Sequence, residues 1–376
     1  AISSGALRRW AGVTLSVAIA SSTLLTAGVL QAPPAQADTV TYPWSRTTGT
    51  GNYIDDAYHV GADNVFENVT TDRLLDVLSS NGDYYLFLGG PEHAASQALL
   101  PVVNAAAKAS TGVKKIYHFD PYVDGYQLDS TLASGVADVT GGNSTNFKTS
   151  DGKSQPARLS DVWKLVTNLL PASATASGGA LENYAGNTAL LLNVHITDRR
   201  NVDSGKTVTR LAPVTDAEAA AFAADTGDVR TTTAASLQSA FTGRTAAERT
   251  QLEFFSRLYN ASATYIEGST ETADRIGKAV TIFDPADYPN PGDFRLKSID
   301  VKELYDLLNS PGEVPILFAG QGCHNTQAII GSVARRAKEL NVPVVYVVDF
   351  ALDSNVRFGT GDAIDVASAS SATGGL

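Results

Sequence analysis

Sulfur is nearly missing from this chain. Its 376 residues include one cysteine, Cys323, and no methionine. A single thiol makes no internal disulfide, so disulfide-stapled folds are excluded and the fold must rest on its core. Also missing are the G-x-S-x-G turn, the phosphate loop and the GxGxxG fingerprint. Hydrolase and nucleotide-binding readings therefore have no motif to stand on. Positive charge is short, with 28 Lys and Arg against 39 Asp and Glu and a net charge of −11. Such a surface argues against nucleic acid or anionic lipid as a partner.

Long apolar runs are lacking but for one, "AGVTLSVAIASSTLLTAGVL" at 11–30. Arg8 and Arg9 precede it, and "QAPPAQA" follows, ending in the small-x-small triplet Ala35-Gln36-Ala37. This is the pattern of a secretory signal peptide over 1–37, cleaved before Asp38. A membrane anchor is the alternative on length, but Pro33-Pro34 and the A-x-A triplet favour cleavage. The expectation is a secreted or cell-envelope protein with no membrane span after cleavage. The Ala/Thr/Gly-rich composition has a bacterial cast. The remainder suffices for two domains, expected at 38–265 and 266–376.

What the chain does contain is an internal repeat. "ENVTTDRLLDVLSSNGDYYLFLGG" (67–90) matches "KSIDVKELYDLLNSPGEVPILFAGQ" (297–321) at an offset of 230. Leu74 then meets Leu304, Asp76 meets Asp306 and Gly82 meets Gly312. One inserted residue in the second copy brings Phe87 onto Phe318 and Gly89 onto Gly320. "QALLPVVNAAAKA" goes on to match "QAIIGSVARRAKE", and "VKKIYHFDPYVD" matches "VPVVYVVDFALD". Each copy reads as helix, buried strand, glycine turn, helix, buried strand, which is a βαβ unit with parallel strands. After the first copy, 130–157 is a polar excursion and 160–171 a helix. Residues 187–198 and 205–213 read as an antiparallel hairpin, 214–232 as an acidic Ala-rich linker, and 233–263 as helices.

That order resembles the thioredoxin-like superfamily, with Cys323-His324-Asn325-Thr326 at the strand-to-helix junction where the family carries Cys-x-x-Cys. Phe318 stands five positions before Cys323, as the family's aromatic does. Pro101 falls inside the second helix, another family habit. The resemblance implies an α/β fold, a three-layer α/β/α sandwich in two tandem copies. The first copy has no thiol, holds "Glu92-His93-Ala94-Ala95-Ser96" at the junction, and has Asn187-Thr188 in place of the family's cis-proline. The second stops before any counterpart of the hairpin and reads as truncated.

A thiol at a helix N-terminus faces unpaired backbone N–H groups that favour the thiolate. Cys323 is therefore the candidate nucleophile and Thr326 the thiolate stabiliser, acting by mixed-disulfide exchange with proteins or low-molecular-weight thiols and using no cofactor. The alternative for Cys323 is a small buried hydrophobe. His324, one residue on, does not share its helix face and is no general base for it. Glu92, His93, His118 and Asp120 should meet at the C-terminal edge of the first sheet, where open α/β sheets collect ligands. They form a candidate binding site. Their spacing does not argue for a metal, and the alternative is a polar helix cap with a satisfied strand-end histidine. His195, Asp198, Arg199 and Arg200 read as a solvated hairpin tip. A non-catalytic envelope binding or scaffold protein is the competing function.

Overall fold

The computed structural model describes residues 52–123, 126–128, 136–138, 163–164, 166–184, 188–213, 215–224, 227–260, 281–290, 292–320, 323–349, 357–358 and 364–365. The expected signal peptide, most of the polar excursion and the chain after 365 lie outside them. Among the described residues no helix is long and apolar enough to cross a membrane.

Helix α1 (Tyr53–Tyr58) leads into β1 (Phe66–Asn68), α2 (Thr71–Leu78), β2 (Gly82–Leu88), α3 (Ala94–Lys108) and β3 (Ile116–Phe119). Thr70 starts α2 by accepting a hydrogen bond from the Arg73 N–H, satisfying one of the free donors of a helix start. A meander follows, β4 (Tyr122–Val123), β5 (Tyr126–Leu128) and β6 (Val136–Asp138), then α4 (Ala172–Thr175). The hairpin is β7 (Leu190–Ile196) and β8 (Lys206–Ala212). The main sheet has the order β1-β3-β2-β7-β8. Strands β1, β3 and β2 are parallel; β7 is antiparallel to β2, and β8 to β7. The bond between Ala212 and Pro213, where β8 ends, is cis.

Strand alternation sorts β2 into two cores. Tyr84, Leu86 and Leu88 join Leu74, Leu78, Trp163 and Tyr184. Tyr85 and Phe87 join Tyr58, Leu99, Val103, Phe222 and Phe241. The last two belong to α5 (Asp216–Ala224) and α6 (Gly227–Phe241); α5 and the start of α6 lie in the stretch 214–232 expected as a linker, and the rest of α6 falls where helix was expected. Alanine is the best helix former, and burying Phe222, Leu237 and Phe241 against α3 supplies what propensity alone does not.

A second, all-parallel sheet has the order β10-β11-β9. It is built from β9 (Leu296–Ser298), α8 (Val301–Leu308), β10 (Ile316–Ala319), α9 (His324–Glu339) and β11 (Val345–Asp349). Before it come α7 (Gln251–Phe255), opened by a Thr250–Glu253 capping box, and a π-helical turn at Ser256–Asn260. Phe254, Phe255, Leu258 and Tyr259, expected in the first domain, pack with Phe283, Ile330 and Ala334 in the core of this second sheet.

Strand register corrects the alignment of the two repeats. Leu86 lies opposite Tyr117 in the first sheet, and Ile316 lies opposite Tyr346 in the second. The residue matching Phe87 is thus Leu317, and no inserted residue precedes it. Leu317 packs against the second core, whereas Phe318 points to the other face and is 62% exposed. A one-residue slip exchanges the two faces of a strand, so identical letters mislead where register does not. Phe87→Ala should therefore cost about 3–5 kcal/mol. Phe318→Ala should cost roughly 0.5 kcal/mol. Urea denaturation of both variants measures the difference, and equal losses would restore the shifted alignment.

Candidate functional site

The parallel strands β1, β3 and β2 end at one edge of the first sheet, and the Gly89-Gly90 turn carries β2 into α3. The turn leaves no room for a side chain. A Cβ at position 90 would fall 2.5 Å from Asp120 Oδ1 and 2.6 Å from Glu92 Oε2. Glu92 and Asp120 converge, as expected from the sequence, but on a residue that reasoning along the sequence missed. Lys302, from the first turn of α8, places Nζ 2.8 Å from Glu92 Oε1 and in contact with Asp120 Oδ2. Lys302 is 5% exposed and Asp120 7%. Burial alone would depress the lysine, but Asp120 and Glu92 outweigh it and hold its pKa above the ordinary value. One signal could have found it: a cation in the first turn of a helix opposes the helix dipole, so it needs anions from elsewhere.

His118 is fully buried. Its Nδ1 lies 2.8 Å from Asn68 Oδ1 and its Nε2 2.9 Å from the Tyr58 hydroxyl, and its ring stacks on Phe87. An amide oxygen only accepts, so Nδ1 carries the proton and Nε2 accepts from Tyr58. Burial, with Lys302's charge adding to it, pushes the pKa down to about 3. This is a neutral histidine with both nitrogens satisfied, the strand-end alternative weighed above. His93 is the N-cap residue of α3 and makes no side-chain cap bond. Burial lowers its pKa, against Glu92 and with Lys302. Among the described residues no three His, Cys, Asp or Glu side chains are grouped to hold a metal ion.

More contacts bind α8 and β9 to the first sheet. Asn68 Nδ2 donates to Glu303 Oε2 at 3.5 Å, and Glu303 also pairs with Lys297. Gln251 spans both sheets, donating to Glu67 Oε1 at 2.9 Å and accepting from the Ser298 N–H at 3.1 Å. The edge expected to bind a ligand is thus filled by protein side chains.

The other expected site lies in the second sheet. Cys323 is the N-cap residue of α9, a helix of 16 residues, with extended backbone and partial exposure. The Thr326 backbone N–H, then its hydroxyl, lower the thiol pKa; slight burial opposes them, and the Asn325 N–H adds to the lowering. Thr326 is buried, and its Oγ1 accepts from the Gly320 N–H at 3.3 Å, while the Cys323 side chain makes no cap hydrogen bond to the helix. Cys323 and Thr326 both lie at the first turn of α9, and Lys302 is a common cation for Glu92 and Asp120.

No family model, no curated protein and no solved structure matches the chain.

Two outcomes follow from this geometry. Lys302→Met leaves two carboxylates facing each other without a cation and should cost about 3–5 kcal/mol, read by chemical denaturation; a loss under about 1 kcal/mol, the scale of an exposed pair, would mean that the ions are solvated. His118 gives an acid slope. Its folded pKa lies below its unfolded one, so between them the unfolded chain binds the extra proton and stability falls as pH falls. Unfolding free energy should drop from pH 6.5 downward by up to about 1.4 kcal/mol per pH unit. A His118→Gln variant should lack that share of the slope. Lys302 has the opposite sign, and its contribution is lost only in strong alkali.

Proposed function

We propose that the chain is an exported protein of two thioredoxin-like units, the first without redox chemistry and the second a monothiol thiol–disulfide exchange centre. The observation that carries this reading is Cys323 itself, a partly exposed residue at the start of a long helix, its pKa lowered chiefly by Thr326. The strand order β1-β3-β2-β7-β8, with three parallel strands and an antiparallel hairpin, supports the thioredoxin-like reading of the first unit. The common element order and the matched register of β1 with β3 and of β9 with β11 support a second copy. Glu92 at the first unit's junction, paired with Lys302, supports a unit that has given up thiol chemistry.

The chemistry follows from one sulfur. The Cys323 thiolate attacks one sulfur of a partner disulfide; a new S–S bond forms, the old one breaks, and the departing thiolate takes a proton from water. A second thiol from outside releases the product by the same exchange, since the chain holds no resolving cysteine. Partners on this reading are proteins or small thiols in an extracytoplasmic compartment, and no cofactor is called for. One observation favours the second reading, a binding or scaffold protein: Leu308, Val314 and Phe318 are exposed apolar residues around β10.

Native-state alkylation across pH should give a midpoint for Cys323 below the free-thiol value of roughly 8.5. Thr326→Val should raise that midpoint and slow labelling several-fold at pH 7. Labelling that starts only on unfolding would leave the binding reading in place of exchange.

A further inference from the structure

With the register corrected, three exposed apolar residues of the second repeat fall on three buried ones of the first. Leu308 is 55% exposed, Val314 37% and Phe318 62%; their counterparts Leu78, Tyr84 and Leu88 are buried. Two things bury the first set. Trp163, Val166, Leu170 and Tyr184 cover the face of the sheet, and β7 closes its side. Strand β7 runs antiparallel to β2 and sets Leu192 opposite Leu86 and Leu190 opposite Leu88. The second sheet has the order β10-β11-β9, so among the described residues no strand stands beside β10 where β7 stands beside β2. Ile316 and Phe318 on β10 correspond to Leu86 and Leu88.

An outer strand presents a row of backbone N–H and C=O groups to any further strand, and exposed apolar side chains beside it favour such pairing. Pro315 stands just before β10, so each of the four residues Ile316–Ala319 keeps its N–H. The thiol lies at the end of this row. The Cys323 N–H donates to Gly320 O at 2.9 Å, which holds Cys323 beside Gly320, two positions past Phe318. A strand laid on β10 as β7 lies on β2 runs antiparallel to it. The residues just ahead of its Phe318 partner then reach toward Gly320 and the sulfur.

We propose that the outer side of β10 docks an extended apolar polypeptide segment as an added antiparallel strand, and that this segment carries the disulfide that Cys323 attacks. The proposal rests on the exchange reading above and names its substrate class. The substrates are disulfides of extended protein chains, with the cysteine about two residues ahead of an alternating apolar run. Main-chain hydrogen bonds to β10 supply affinity, and apolar contact with Ile316 and Phe318 supplies preference. Docking raises the effective concentration of the disulfide at the sulfur. The step balances as written above: the Cys323 sulfur bonds to the peptide's sulfur, the peptide's S–S bond breaks, and the leaving thiolate takes a proton from water.

Mass spectrometry of the native full chain measures mixed-disulfide formation at Cys323 with two probes. One is bis(2-hydroxyethyl) disulfide; the other is the peptide Cys-Ser-Val-Thr-Val-Thr-Val with its cysteine disulfide-bonded to 2-mercaptoethanol. The peptide should react roughly tenfold faster. N-methylation of its alternate amides, or Phe318→Lys in the protein, should bring the ratio of the two rates near one. A fluorescent form of the peptide with serine for cysteine should bind the Cys323→Ser chain saturably, which reads docking without exchange. Such binding beside an unreactive small disulfide would support the docking strand and end the exchange reading. A reactive small disulfide with a peptide ratio near one, or without saturable binding, would overturn the docking strand and keep exchange. A ratio that stays high after both N-methylation and Phe318→Lys would overturn it too. So would a dimer that Phe318→Lys dissociates, since β10 would then belong to another molecule of this chain.

Discussion

A lysine at 5% exposure between two carboxylates joins the two halves of this molecule. Taking the charges of Lys302 and Asp120 out of water is costly, and their attraction, with Glu92 added from the solvent side, repays the cost only in good geometry. Lys302 comes from the helix that opens the second sheet's repeat, and Glu92 and Asp120 from the strand ends of the first. The triad therefore exists only when both sheets are folded and in place. It also closes the first sheet's C-terminal edge, the position where open α/β sheets hold ligands. In the second sheet the corresponding junction carries Cys323, partly exposed. The assignment of thiol chemistry to the second unit rests on that difference.

Asp76 makes the second tie. It draws Arg249 and Arg257 onto α2 from a segment whose aromatic side chains lie in the other core. Lost pairing of any one group would strand buried charge, so the segment from 249 to 260 is held by ions on one side and by Phe254, Phe255 and Tyr259 on the other.

Much of the first sheet was legible in the sequence because its signals are local. Apolar spacing in 71–78, the glycine turn at 89–90, Pro101 inside a long helix and the hairpin around 197–205 all reappear in the structure. The helix start at Cys323 was legible for the same reason. The misreadings have a common cause in tertiary contact. The stretch 214–232 looked like a linker until Phe222 found the core beside α3 to pack in. The matched Phe87 and Phe318 gave way to register, because strand pairing decides which face a side chain takes. Lys302 and Asp120 are 182 positions apart, and Arg257 and Asp76 are 181 apart, so no window along the chain pairs them.

The central claim is that the chain's one thiol exchanges with disulfides in the folded state. Mass spectrometry of the native protein after incubation with a small symmetrical disulfide tests it most directly. The account predicts one mixed disulfide per molecule, mapped to Cys323, formed without unfolding and reversed by an added monothiol. A native protein that stays unmodified while the urea-unfolded chain takes up one equivalent would contradict it and leave Cys323 as a packing residue.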